Sequence, residues 1–246
     1  MLYKYETHCH TSQVSRCAKS TGAEMARKYK EIGYTGIIVT DHFFNGNCAV
    51  PKDLPWKERI DMYYAGYEDA KAEGDKIGLQ VFFGLEWTYH GIDFLTFGVG
   101  KDFLYAHPEI ETMQPAPYID LVHEAGGFVI HAHPFREAHY IHEFILAPYQ
   151  EDAVEVYNTS HSEKIIDDRA KWYAKSYNKI WTSGSDAHET GKISGGGVYF
   201  DHKVKDLDEI IELIKTKQIK KLGKRTLKYM DPEIKAKYHG KRYVKK

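Results

Sequence analysis

The stretch Gly36-Ile37-Ile38-Val39-Thr40-Asp41-His42 decides how this chain folds. Its first five residues are uncharged and rich in β-branched side chains, so the run reads as a strand buried on both faces, the usual state of a strand in a parallel sheet. Asp41 and His42 then follow at its carboxyl end. The arrangement recurs along the chain. Residues 3–8 read as a strand delivering His8-Cys9-His10, and residues 79–85 read as one ending at Glu86. Phe128-Val129-Ile130 runs into His131-Ala132-His133-Pro134, residues 153–156 end at Tyr157-Asn158, and Ile180-Trp181-Thr182 ends at Ser183-Gly184-Ser185-Asp186-Ala187-His188. A further strand over 94–99 begins just after Asp93.

Helical segments alternate with these strands. Thr21-Gly22-Ala23-Glu24 has the form of a capping box, opening a helix whose Met25, Tyr29 and Ile32 share a face and which Gly33 is suited to stop. Helices are also expected over 60–73, 118–125 and 206–217, with longer loops at 43–59, 101–117 and 134–150. This rhythm predicts an α/β fold with a mainly parallel sheet and crossover helices, whose functional loops gather at the carboxyl ends of the strands.

The 246 residues, 42% hydrophobic and 28% charged, suffice for one large core in a single domain. The absence of any apolar run of 18 residues argues against a membrane span, and MLYKYETHCH lacks the regions of a secretory signal, so a cytoplasmic location is expected. Cys9, Cys17 and Cys48 are then expected to be reduced thiols. A net charge of −1 hides an asymmetry: residues 215–246 hold 13 Lys or Arg against Asp231 and Glu233. The division expected is a domain over 1–217 and a basic C-terminal tail over 218–246. The tail could meet nucleic acid, but a solvated segment docked on an acidic body is the favoured reading. The oligomeric state is not legible.

His8 and His10, one residue apart on a strand, project from the same face and can converge on one metal. With 14 histidines in the chain, roughly one His-x-His arises by chance, so the pair decides nothing alone. The set does, because strand after strand ends in a nitrogen or oxygen ligand. Imidazoles with carboxylates and no thiolate pair suit an open catalytic Zn, Mn or Fe site rather than a closed structural zinc site.

His8-x-His10-Thr11, Thr40-Asp41-His42, Gly84-Leu85-Glu86, Ala132-His133-Pro134 and Ser185-Asp186-Ala187-His188 occur in the order of the polymerase and histidinol phosphatase (PHP) superfamily, which residues 5 to about 200 therefore resemble. The resemblance implies a distorted seven-stranded (β/α) barrel and phosphoester hydrolysis with two or three divalent metal ions (Zn, Mn or Fe). It implies His8, His10, Glu86 and Asp186 as ligands of a first metal, with Glu86 shared by a second and its carboxylate next to a metal-bridging hydroxide. His133 matches the ligand of the His-Pro motif, and His42 and His188 those of a third metal. Cys17 and Asp93 depart from the pattern, standing where many members have a histidine or acid and a histidine.

Other roles are expected from residue type and position. Asp41 reads as a carboxylate orienting a neighbouring ligand, and His131 as a supporting or substrate-facing donor. Arg136, three residues after His133, is the first candidate for a phosphate contact, ahead of Arg16 and Lys19. Asn158 could contact substrate or cap a turn. Cys17 reads as a thiolate ligand or, in preference, as a small buried side chain, His139 and His142 as surface residues, and His107-Pro108 as a loop dipeptide without a role.

A small phosphomonoester or nucleotide is the substrate class expected. An oligonucleotide exonuclease or other phosphodiesterase, or a metal-binding regulatory module without turnover, are the alternatives. A metal-dependent amidohydrolase shares the His-x-His start, but it usually needs a metal-bridging lysine, and none stands at a matching strand end.

Overall fold

The computed structural model describes residues 1–239. Nine strands, β1 (Tyr3–Cys9), β2 (Gly36–Val39), β3 (Gln80–Tyr89), β4 (Ile92–Phe97), β5 (Phe128–Ala132), β6 (Ala153–Asn158), β7 (Ile180–Gly184), β8 (Val198–Phe200) and β9 (Lys221–Leu222), form one sheet in the order β7-β6-β5-β4-β3-β2-β1-β8-β9. The helices are α1 (Gly22–Glu31), α2 (Trp56–Tyr63), α3 (Ala65–Ile77), α4 (Lys101–Ala106), α5 (Pro115–Glu124), α6 (Lys164–Ser176), α7 (Leu207–Lys215) and α8 (Pro232–His239).

The sheet curls until its first and seventh strands nearly meet. Cys9 forms a parallel bridge to Ala187, just past β7. The His10 amide donates to the Ala187 carbonyl at 3.0 Å and the Thr7 hydroxyl to the Ser183 carbonyl at 2.7 Å. Strands β1 to β7 thus follow one another around a nearly closed barrel, while β8 and β9 lie beyond β1 and raise the count to nine, against the seven expected. These two strands, three and two residues long, are too short to read from hydrophobic pattern and exist because β1 has a free edge to pair with.

The sheet is also mixed rather than mainly parallel. Strand β4 is antiparallel to both neighbours, because Tyr89 and Ile92 are joined by a two-residue hairpin turn. His90 (φ 51°) and Gly91 (φ 83°) both take the left-handed conformation that matches strand twist at such a turn. The capping box forms: the Glu24 amide donates to the Thr21 hydroxyl at 3.2 Å and the Thr21 amide to the Glu24 carboxylate at 2.8 Å. The helix expected over 60–73 is two, α2 and α3, adjoining at Tyr64. The segment 101–117, expected as a loop, holds α4 and a 3-10 turn at Pro108–Glu111.

Three apolar layers wrap the sheet and a fourth fills one end of the barrel. Phe43, Phe44, Tyr63, Trp87 and Tyr118 pack β3 and β4 against α2 and α5. Met25, Tyr29 and Ala70 bind α1 and α3 to β1 and β2, and Val154, Val156 and Tyr173 bind α6 to β6. Ile210, Ile211, Leu213 and Ile214 of α7 close over Leu95, Phe97, Phe128 and Ile130, each burial contributing about 1.5–3 kcal/mol. That end is sealed by hydrocarbon. The polar clusters lie at the other.

The basic segment after residue 217 starts against the barrel. Strand β9 pairs with β8, the Thr226 amide donates to the Ser194 carbonyl at 2.8 Å, and the Asp231 amide donates to the Gly191 carbonyl at 3.0 Å. Residues 240–246, the last part of the expected tail, lie outside the described residues. Among the described residues no helix is long and apolar enough to cross a membrane.

The seam between β1 and β7 depends on Glu6, whose buried carboxylate accepts from the amides of Thr7 (3.1 Å), His8 (3.1 Å) and Ser185 (2.7 Å) and from the Tyr29 hydroxyl (3.1 Å). Burial raises its pKa, an effect that the Ser185 hydrogen bonds oppose. Replacing Glu6 by Ala leaves these donors unsatisfied and should cost roughly 2–4 kcal/mol. Urea unfolding measures this directly, and an unchanged midpoint would contradict the role.

Candidate metal centre

Side chains from five strand ends meet at the open end of the barrel. Glu86, in β3, is fully buried and central: its Oε1 lies 2.9 Å from His8 Nε2 and 3.4 Å from His133 Nε2, and its Oε2 lies 2.7 Å from His42 Nδ1 and 3.5 Å from His10 Nε2. Asp186 Oδ1 lies 3.2 Å from His10 Nε2 and 3.5 Å from both His8 Nε2 and His188 Nδ1. Two ligands bonded at about 2.0–2.1 Å to one tetrahedral ion sit about 3.3 Å apart. The observed spacings bracket that value.

Hydrogen bonding around the rings leaves the inward nitrogens free. His8 Nδ1 donates to Glu155 at 3.1 Å, and His188 Nδ1 to the Asp186 carbonyl at 3.0 Å. Ser15 Oγ donates to Asp41 at 2.7 Å and accepts from the His42 amide at 3.0 Å, so it can also accept from His10 Nδ1 at 3.1 Å. A proton on Nδ1 places the lone pair on Nε2. Accordingly His8 Nε2, His10 Nε2, His42 Nδ1, His133 Nε2 and both Glu86 oxygens are buried and make no hydrogen bond among the described residues. Orphaned buried donors and acceptors are costly and rare, and here they share one small volume. Four sets can hold an ion: His8-His10-Glu86, His8-His133-Asp186, His42-Glu86-Asp93 and His10-His42-His188.

Local backbone explains how strand ends deliver these groups. His133 (φ 30°) and Asp186 (φ 50°) occupy the left-handed region, in which non-glycine residues cost on the order of 1–3 kcal/mol. In β5, Phe128, Ile130 and Ala132 pack in the layer closed by α7 and Val129 in another. Strand alternation therefore puts His131 with Val129, and the turn at His133 breaks the shared face that spacing suggests.

His131 stands apart from the cluster. Its Nδ1 lies 2.7 Å from Glu151 and its ring packs on Phe94 and Tyr173. Asp41 is not in contact with the converging atoms either, accepting instead from the Thr11 amide (2.6 Å), the Thr11 hydroxyl (2.6 Å) and Ser15. Burial raises it to about 6 against those hydrogen bonds. Arg136 donates to Asp186 and, through Nε, to His161 at 3.1 Å. Asn158 donates to Glu155 at 2.8 Å. Arg16 and Lys19 are exposed, bonded to the Cys48 carbonyl and to Glu189, and His107 bonds to Glu109. His139 and His142 are exposed.

Charge is balanced inside the cluster. Burial disfavours ionised Glu86 and Asp186, yet His42, His8 and His10 around the first, and Arg136, His8 and His188 around the second, hold both well below the usual carboxylate range. Burial likewise opposes a charged His8, but Glu155, Glu86 and Asp186 outweigh it and raise His8. His10 goes the other way, pushed down by burial and by the neighbouring His188 and His42. Asp93 is raised by burial and by the adjacent Glu86.

Some members of this site were passed over in the sequence. Glu155, which holds His8 and accepts from the His133 amide at 3.2 Å, was visible as the one charge in Ala153-Val154-Glu155-Val156. Ser15 and Thr11 carried no such signal. Cys17, read as a small buried side chain, is exposed and lines a cavity of about 740 Å³ together with His42, Asp93, Arg136, Asp186 and His188. Lys192 and Met230 complete part of the wall.

A family model described as PHP-associated matches residues 167–219, which include Asp186 and His188. The match covers 53 of the 246 residues, so it marks this stretch as similar to the PHP-associated family. No curated protein matches it. Among solved structures, its fold is similar to a two-domain protein containing a predicted PHP-like metal-dependent phosphoesterase from Bacteroides vulgatus, at 14% identity and TM-score 0.64, over 89% of this chain and 64% of that one. It is similar to an amidohydrolase from Chromobacterium violaceum with bound sulfate (14%, TM-score 0.56, 85% of this chain and 96% of that). A lesion-specific endonuclease from Pyrococcus furiosus is a third (14%, TM-score 0.56, 88% and 56%). At these identities the likeness is one of fold alone.

Glu155→Gln should lower metal affinity 10–100-fold by releasing His8, as loss of a partner to a ligating imidazole does; chelator competition measures it, and undiminished affinity would remove Glu155 from the site. Because His8, His42 and His188 are all raised in the free site, metal must displace their protons. Affinity should therefore fall as pH is lowered, with proton release on binding seen by calorimetry in buffers of different ionisation enthalpy.

Proposed function

We propose that this chain is a metal-dependent phosphoesterase acting on a small phosphomonoester or nucleotide. The observation that carries the reading is the convergence of buried, unbonded imidazole nitrogens on the two oxygens of Glu86. Their chemistry suits divalent cations such as Zn, Mn or Fe. His8, His10, Glu86 and Asp186 would hold one, and Glu86 with Asp93 and His133 a second. Such ions supply charge that stabilises a phosphoryl group and brings the pKa of a water toward neutrality.

The chain's own residues do the rest. Glu86 and Asp186, held ionised, keep the cluster anionic enough to retain cations. Arg136 supplies a guanidinium on the cavity wall, where it can shift one donor from Asp186 to a phosphate oxygen. Asp41 orients ligands through Ser15 and Thr11. His131, bonded to Glu151 away from the cavity, is assigned a packing role and no part in the chemistry. The cavity, about 740 Å³, falls within the range that encloses small ligands.

A phosphodiester substrate is the second reading, favoured by the basic C-terminal segment that brings Met230 into the cavity wall with Lys224, Arg225 and Lys228 close by in sequence. An amidohydrolase would need a bridging lysine. Lys192 on the cavity wall is instead paired with Glu189 at 2.5 Å.

Metal-stripped protein reloaded with Mn or Zn, and offered phosphomonoesters, nucleotides and oligonucleotides, tests these readings. Turnover of monoesters is expected in the reloaded protein, and Glu86→Gln should reduce it at least about 10³-fold, the scale of losing a group that stabilises transition-state charge. Oligonucleotide cleavage with a steep salt dependence would select the second reading. Tight metal retention without turnover of any substrate would replace both with a metal-binding module.

A further inference from the structure

Beyond the metal cluster, the cavity wall follows the β3–β4 hairpin to an aromatic ring. Thr88 and Asp93 face each other across the two strands, and the Thr88 hydroxyl donates to Asp93 at 2.6 Å. From Asp93 to Gly91 at the turn is a step of two residues, and so of about 7 Å at most. There Tyr140 lies against the backbone: a β-carbon on Gly91 would stand 3.3 Å from Tyr140 Cδ2 and 3.6 Å from its Cε2. Both residues line the cavity. The ring is held but not covered. His139 packs edge-on to it, with centroids 5.3 Å apart, and the Ile141 amide donates to the Ala138 carbonyl at 3.0 Å. Earlier in the same loop the Phe135 ring packs on Phe144 and Tyr173. Tyr140 nevertheless stays 49% exposed.

The groups beside this ring are uncharged. Asn45 and Asn47 line the same cavity from the loop after β2, which Gly46 brings against the hairpin: a β-carbon there would lie 2.5 Å from the Thr88 hydroxyl. The Thr88 amide donates to Asn45 Oδ1 at 3.2 Å, so the NH2 end of Asn45 is the one left for a ligand. Asn47, which is exposed, presents a second side-chain amide. The carboxylates of the wall, Asp93 and Asp186, both belong to the metal cluster. An open aromatic face flanked by amide donors suits a planar heterocycle with ring nitrogens or carbonyls, whereas a polyol would call for acceptors that this stretch lacks. We propose that Tyr140, Asn45 and Asn47 form a nucleobase subsite, which makes the substrate a nucleoside monophosphate. Its phosphate sits at the cluster, its ribose spans the hairpin and its base stacks on Tyr140. The inference rests on the phosphoesterase reading above and narrows it to one substrate class. Every base has a π-face, so the subsite accepts purines and pyrimidines alike.

A substrate without a base separates the two parts of the cavity. In the manganese-reloaded full chain, adenosine 5′-monophosphate should show a KM about tenfold or more below that of ribose 5-phosphate. Tyr140→Ala should raise the KM of the nucleotide about 5- to 100-fold, the scale of losing one base–aromatic stack, without lowering its kcat. Tyr140→Phe should keep the low KM, because stacking needs the ring and not the hydroxyl. Calorimetric titration with the phosphonate analogue of the nucleotide, which cannot be hydrolysed, reads binding apart from turnover. Equal KM for the two substrates, a nucleotide preference that survives Tyr140→Ala, or a loss shared equally by ribose 5-phosphate would each overturn the subsite while leaving the phosphoesterase reading in place. Tyr140-dependent binding of the phosphonate with no turnover of either substrate would strike the phosphoesterase reading alone, and neither binding nor turnover would strike both.

Discussion

Everything at the open end of this barrel depends on one buried carboxylate. Glu86 is fully enclosed, yet both of its oxygens face imidazole nitrogens rather than hydrogen-bond donors of the backbone. An ionised carboxylate in such a place is tolerated only where positive charge surrounds it. His42 and His8, both raised, provide that charge, and they hold Glu86 well below its ordinary range although burial alone would raise it. The protein has assembled an anion with its lone pairs pointing inward, and cations are what complete it.

That assembly is kept open by residues that touch no ion. Left to themselves, five imidazoles and three acids would collapse into hydrogen-bonded pairs and satisfy one another. Glu155 prevents this at His8, the Asp186 carbonyl at His188, and the Ser15-Asp41 pair at His10, each by engaging the outward nitrogen. Close packing fixes these partners in turn. A β-carbon on Gly184 would lie 2.3 Å from the Glu155 carboxylate, and one on Gly66 would lie 2.0 Å from the Thr11 hydroxyl. Small residues at the strand end and on α3 are therefore part of the ligand geometry, although nothing in their chemistry announces it.

How much of this could be read in advance follows from the range of the interactions. The strand ends bearing His8, His10, His42, Glu86, His133 and Asp186 were legible, because a buried apolar run followed by an ionisable residue is a local signal. The capping box at Thr21 was legible for the same reason. Strands β8 and β9 were not, since two or three residues become a strand only by pairing with an edge supplied elsewhere. Helix α6 went unnoticed although Ile166, Ala170, Tyr173 and Ala174 bury one face, because exposed Ile165 and Trp172 blur the pattern. His131 misled for a sharper reason: two-residue spacing implies a shared face only while the backbone stays extended, and the left-handed turn at His133 ends that condition.

The same turns link the fold to the chemistry. Strain at His133 and Asp186 is held in place by the Glu155 carboxylate under the first amide and by Arg136 on the second side chain. Arg136 therefore serves two ends. In the free site it neutralises Asp186, and with an ion bound to Asp186 that need diminishes, since the ion supplies the charge. On the proposed reading, a guanidinium so released would stand on the cavity wall, where a substrate phosphate would be its strongest acceptor. Metal binding and substrate binding would then be coupled through a single arginine, with the cation preparing the anion site by relieving Arg136 of its first partner.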